Sequence, residues 1–427
     1  MMASGAMTDL GRAFRHRDYR LFFTGQLTSL IGTWIQMTAQ AWLVYRLSGS
    51  AGYLGLASFA SQGPVFLVAQ LGGAIADRYD RRSILVTTQV VSMVLALILA
   101  WLTMSGSVRL WHVFLLASLT GLTNAFDIPA RQSFVVDMVG RADLQNAIAL
   151  NSSMFNMARL IGPAAAGVIV AAVGEGWCFL LNGLSFLTVI GCLLAMRRPA
   201  FVAPPRNDSL LGQIRQGLGY AAGTRSIRYV LLLVGVMSLM GMPYTVLMPI
   251  FANRILQGGP LHLGALMSAA GFGALLAALL LASRKSLDGI EKRIARAVLG
   301  FGLFLVLFAL SDIFWLSLVL LVLVGFCQMT HMASSNTLIQ SMVSDVYRGR
   351  VMALYSMMFM GMAPFGALFS GMLAGAVGAP SAVIFGAVAS ILGGQVFMAL
   401  LPGLRPEMAR LIAEGEAGGK SDGGKRA

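Results

Sequence analysis

Gly72-Gly73-Ala74-Ile75-Ala76-Asp77-Arg78-Tyr79-Asp80-Arg81-Arg82 separates two long apolar runs. Apolar runs of that length are predicted to be helices, and two helices ending together need a short connector that stays in water. A connector this rich in Arg belongs on the cytoplasmic side of a membrane. Gly73 is predicted to allow close helix approach, and Asp77 to face the positive end of a neighbouring helix. Arg78, Arg81 and Arg82 are suited to carboxylates or lipid phosphates.

Composition agrees with the stretch. Charged residues make up 11% of the 427 and apolar residues 57%, against about a quarter charged in soluble domains. Mean hydropathy is +0.77. The expectation is an all-α membrane protein with many spans. The net charge of +14 lies in short loops between apolar runs, which argues for anionic lipid and orientation and against nucleic acid. Cys178, Cys192 and Cys327 lack metal-ligand spacing and form no disulfide framework.

Twelve runs are predicted, six before a polar stretch and six after it. Residues 1–20 are a basic leader, 21–196 a six-helix bundle, 197–228 a cytoplasmic linker, 229–401 a second bundle, and 402–427 a disordered tail. If every run spans, all of the 31 Lys and Arg except Arg46, Arg109, Arg254 and Arg159 lie on one side. That asymmetry puts both termini in the cytoplasm. A 204-residue shift lays Asp137–Gly174 over Ser341–Gly378, with Gly162/Gly366, Gly167/Gly371 and Gly174/Gly378 among the identities. The two halves therefore read as a duplication.

The connector pattern Gly73-x-x-x-Asp77-Arg78-x-x-Arg81-Arg82 resembles the loop between helices two and three of the major facilitator superfamily. Gly25-Gln26, Gly32-Thr33-Trp34-x-Gln36, Asn124-Ala125-Phe126-Asp127-x-Pro129-Ala130-Arg131-Gln132 and Asn156-x-x-Arg159-x-x-Gly162-Pro163 resemble its enterobactin-exporter-like, or transmembrane secretion effector, branch. The resemblance implies two pseudo-symmetric six-helix bundles, a central cavity and alternating access. It also implies export of siderophores, drugs or metabolites, commonly against protons, through the inner membrane. The helix 2–3 loop, with Gly73, Asp77, Arg78, Arg81, Arg82 and Arg131, would form a conformational latch. The matching loop Arg284-Lys285-Ser286-Leu287-Asp288 lacks the Gly-x-x-x-Asp pattern.

Four groups of residues are candidates for mechanism. Arg159 falls near mid-membrane, where an ionisable group is functional by default; it either holds an anionic substrate or braces the helix bend at Gly162-Pro163. The 204-residue shift maps Asp127 onto His331, and this pair would carry protons. Otherwise Asp127 pairs with Arg131 one turn on and His331 lies at the interface. Gln36 and Gln40 share one face of helix one, as cavity wall or interhelical glue. Met240, Tyr244 and Met248 repeat every four residues on helix seven, as an adaptable pocket or as packing.

No phosphate loop, metal spacing or nucleophile–base set is visible, so neither an enzyme nor a cofactor is expected. The partners expected are a small-molecule substrate, protons and membrane lipids, for a monomer. Two alternatives remain open: a lipid or lysolipid mover of the same fold, and a non-transporting receptor or scaffold.

Overall fold

A computed structural model describes residues 11–196, 210–282 and 286–423, and every regular element among them is helical. Eleven helices among these residues are long and apolar enough to cross a membrane. They are α2 (Ala51–Ala76), α3 (Arg81–Met104), α4 (Leu110–Gly140), α5 (Ala142–Val173), α6 (Glu175–Ala195), α7 (Arg225–Ile255), α8 (Pro260–Ala282), α9 (Ile290–Leu310), α10 (Phe314–Met342), α11 (Tyr347–Val377) and α12 (Ala379–Gly423). The twelfth, α1 (Arg17–Ser48), has 32 residues, about 48 Å at 1.5 Å per residue. Its Gln, Thr and Ser residues lower its hydropathy without shortening it.

The chain divides into two compact units, Met1–Pro205 with Val246–Gly271, and Arg206–Thr245 with Phe272–Ala427. Segment 246–271 packs with the first unit through backbone approach. A Cβ on Gly264 would stand 2.5 Å from the Pro163 carbonyl oxygen, and the Ser268 hydroxyl donates to the Leu160 carbonyl at 2.8 Å. Small residues permit such contact, which lipid-embedded helices use in place of a hydrophobic drive.

In the first unit, α4 and α5 form one helical stretch broken only at Gly140, whose φ is +69°. The apolar run ends near residue 128, but the helix continues, because Ala130, Phe134, Val135, Val139 and Ala147 enter a buried cluster with Tyr19, Phe22, Leu85 and Leu193. At a helix end near water, burying one such large side chain stabilises by about 1.5–3 kcal/mol. The described leader residues dock on the start of α5: the Ala13 N–H donates to Asn146 at 2.9 Å and the Tyr19 hydroxyl to the Ala147 carbonyl at 3.1 Å. At the opposite end Arg46 pairs with the buried Glu175 at 2.7 Å.

In the second unit, α7 is irregular. A regular start (Arg225–Val236) gives way to a π-turn at Met237–Gly241 and a 3-10 turn at Met242–Leu247, because Pro243 and Pro249 withdraw backbone donors. α11 carries a π-turn at Met357–Gly361, just before Pro364. The expected disordered tail is helical as far as Gly423; residues 424–427 lie outside the described set. Beyond Pro402 the helix is held by protein contacts. Leu404 and Met408 are buried, Glu407 accepts from the Ser226 hydroxyl at 2.6 Å, and Arg405 pairs with Glu291 at 3.1 Å.

A short linker helix (Leu210–Gly223) stacks Tyr220 on Tyr347 with ring centroids 4.4 Å apart. Residues 197–209 of the linker and 283–285 of the loop after α8 lie outside the described set, so Arg284 and Lys285 are not placed. The duplication is visible in the backbone: α5 ends at Val173 and α11 at Val377, each followed by a glycine at positive φ, +91° at Gly174 and +88° at Gly378.

Candidate functional site

The α2–α3 connector divides its residues between several tasks. Asp80 caps α3, accepting from the Ser83 N–H at 3.2 Å and its hydroxyl at 2.6 Å. Arg81 reaches both carboxylate oxygens of Asp137 on α4 at 2.7 Å. Arg82 is buried and donates to the Leu193 and Leu194 carbonyls at 2.6 and 2.7 Å, so it satisfies the open C-terminal end of α6.

Asp77 and Arg78 are exposed. The close-approach glycine is Gly72 and not Gly73. A Cβ on Gly72 would fall 1.9 Å from the Ala125 carbonyl oxygen, whereas one on Gly73 would meet nothing within 4 Å.

Below the connector, α1, α3 and α4 bring a polar set together. Asp127 is 2% exposed. It accepts from the Thr88 hydroxyl at 2.8 Å and the Gln89 amide at 2.9 Å, and it pairs with Arg131 one turn along α4. The Gln26 carbonyl, turned toward Arg131, accepts from its Nε at 3.0 Å. Arg131, expected in the latch, is therefore the partner of Asp127. His331 on α10 is 1% exposed, with the Ser335 hydroxyl 3.3 Å from Nδ1. The duplication thus places an ion pair in one unit and an imidazole–hydroxyl pair in the other, since Arg131 is matched by Ser335.

The α1–α5 face of the first unit holds the remaining polar candidates. Gln36 accepts from the Asn182 amide of α6 at 2.7 Å, which supports the interhelical reading. Gln40 is partly buried one turn further on. Gly162 sits under Trp34, where a Cβ would come 2.3 Å from the Trp34 Cβ. Pro163 lies inside α5 without any departure from helical dihedrals, so no break marks the expected bend.

Along α5, Gln145, Ser152, Phe155 and Arg159 follow one another at spacings of seven, three and four residues, which is one face of a helix. Gln145, Ser152 and Phe155 are exposed and Arg159 is half-buried. Polar groups exposed on a spanning helix need water or a ligand, because hydrocarbon offers them no partner. Arg159 lies about midway along the span, on the same face as Ser152 and Phe155. Sequence reasoning missed Phe155 and Ser152, although a polar–aromatic–cationic spacing within an apolar run was the available signal.

In α7 the four-residue repeat of Met240, Tyr244 and Met248 does not make a stripe, because the π- and 3-10 turns change the register between them. Tyr244 is buried against Phe301, with ring centroids 6.1 Å apart, and Met240 presents its carbonyl to Gly386.

Residues 11–410 match the family described as transmembrane secretion effector. The chain belongs to this family of the major facilitator superfamily. Its curated relatives include the staphyloferrin A transporter of Staphylococcus aureus, 26% identical over 361 residues that cover 84% of this chain and 90% of that one. They also include the multidrug efflux pump Tap of Mycolicibacterium fortuitum, 27% identical over 395 residues covering 90% and 96%. Among solved structures, nucleoside transporter NupG superposes with a TM-score of 0.69 at 13% identity, covering 90% of this chain and 99% of that one; that likeness is one of fold. As a member of the transmembrane secretion effector family, the protein is a multi-pass membrane transporter and not an enzyme.

Proposed function

We propose that this transporter exports a small amphipathic or anionic compound, of the siderophore, drug or metabolite kind, from the cytoplasm in exchange for protons. It works as a monomer in the inner membrane by alternating access, with both termini cytoplasmic. The observation that carries this reading is Arg159. A cation midway along α5 costs about 2.5–3.5 kcal/mol to insert, and it shares a helix face with Gln145 and Ser152. It supplies a fixed positive charge for an anionic group. The relatives named for a siderophore and for multidrug efflux support the substrate class and the outward direction.

For proton coupling, Asp127 is the acceptor. Its charge holds Arg131, Thr88 and Gln89 together, so protonation and rupture of the ion pair are one event, and α1, α3 and α4 sense it together. His331 is the matching group in the second unit. Asp77 and Arg78, exposed at the end of α2, take the latch role expected from the family pattern.

The second reading, a lipid or lysolipid mover, is favoured by one feature. A groove of about 520 Å³ beside α5, lined by Leu160, Ile161, Ala165, Val168 and Ser268, suits an acyl chain.

The test uses sealed liposomes with a pH dye inside and a panel of siderophores, drugs and lysolipids outside. Proton movement triggered by one compound, and lost in Asp127→Asn or His331→Ala, supports the antiporter. Flux of a compound with no proton movement contradicts the coupling.

A further inference from the structure

We infer that Trp34 and Phe155 form an aromatic platform that selects substrates carrying a planar ring close to their anionic group. This deepens the reading of Arg159 as the anion contact and rests on it. The two rings meet edge to face, with centroids 5.7 Å apart and planes at 71°. That arrangement leaves the face of one ring open to a third. Phe155 is 47% exposed. Its neighbours along the face are Ser152 on one side and Arg159 on the other.

The partner ring is held from behind. Gly162 lies so close to the Trp34 Cβ that no side chain fits between them, so α1 and α5 fix the indole against the phenyl. A platform whose members come from two packed helices is preorganised, and a ligand that stacks on it spends little entropy in ordering the site.

The spacing defines the ligand. Residues 155 and 159 are one helical turn apart, so their Cβ atoms are about 5–6 Å apart and the two side chains are neighbours on the helix surface. An organic anion with an aryl or fused planar group next to its carboxylate, phosphate or sulfonate fills both contacts. An aliphatic anion of the same charge and bulk fills only the second.

Equilibrium dialysis of the purified full-length transporter tests this with 2-naphthoate and its saturated counterpart, decahydronaphthalene-2-carboxylate. The wild type is expected to bind the naphthoate about three- to tenfold more tightly. Phe155→Leu and Trp34→Leu should remove that preference while keeping the affinity for the saturated acid, and Phe155→Tyr should retain it. Equal affinities in the wild type, or a preference that survives in Phe155→Leu, overturn the platform. Arg159→Ala separates the two readings: it should weaken both acids alike, and if it weakens neither, the anion contact fails and the platform with it.

Discussion

Gly72 of α2 lies against the carbonyl of Ala125 on α4, so close that a Cβ on Gly72 would stand 1.9 Å from that oxygen. Backbone on both sides leaves nothing flexible to move. Gly72→Ala is therefore expected to cost about 1–3 kcal/mol through helix displacement. Gly73→Ala, in open space, should be neutral or stabilise by about 0.5–1 kcal/mol. Thermal unfolding of the two variants in detergent checks this, and equal losses would contradict the packing described.

Asp127 and Arg131 should behave as a unit. Removing Arg131 leaves the buried Asp127 without its counter-charge, at a cost of up to about 3–5 kcal/mol. Removing Asp127 costs less, because Arg131 is half-buried and keeps Gln26. The double variant Asp127→Asn/Arg131→Leu should cost clearly less than the sum of the two single changes. A double-mutant cycle on unfolding temperature reads the coupling directly, and simple additivity would show that the pair is not formed in the membrane.

Gln36 and Asn182 join α1 to α6 by one hydrogen bond of 2.7 Å. Gln36→Ala and Asn182→Ala should each destabilise by about 1 kcal/mol, and together by no more than either alone. Substrate affinity at the Arg159 face should not change. A loss of affinity in Gln36→Ala with no loss in Asn182→Ala would return Gln36 to the substrate wall.

The linker helix is anchored by the stacked pair of Tyr220 and Tyr347, and Arg350 lies over the Tyr347 ring at 5.6 Å. Tyr220→Ala should loosen it by about 0.5–1.5 kcal/mol. Faster cutting of the linker in limited proteolysis, at an unchanged global unfolding temperature, is the expected result.

The features legible in the sequence were those written in hydrophobicity and repetition. Apolar runs located the spans, and the glycines shared by Asp137–Gly174 and Ser341–Gly378 marked a duplication that the backbone repeats at Gly174 and Gly378. The pairing of Asp127 with Arg131 followed from one-turn spacing alone. Which of two adjacent glycines touches a neighbour depends on helix rotation, and a single sequence does not show it, so Gly73 stood in for Gly72.

The helix past Pro402 was missed because its stability comes from Ser226 and Glu291, both remote in sequence. The α7 repeat of Met240, Tyr244 and Met248 carries its own breakers in the sequence, Pro243 and Pro249. A four-residue repeat is a face only while the helix stays regular, and Pro243 with Pro249 ends that regularity. Phe155 was hidden because an aromatic residue in an apolar run looks like packing until its exposure is known.

The most direct test of the account is uptake of an organic anion into proteoliposomes by wild type, Arg159→Lys and Arg159→Ala. The account predicts that Arg159→Ala loses at least about tenfold in apparent affinity, the worth of one charge-assisted contact of about 1.5–3 kcal/mol. Arg159→Lys should keep part of it, since the charge remains and only the planar fork is lost. Transport by Arg159→Ala at the wild-type rate and affinity would contradict the central claim and leave Arg159 as a structural brace of α5.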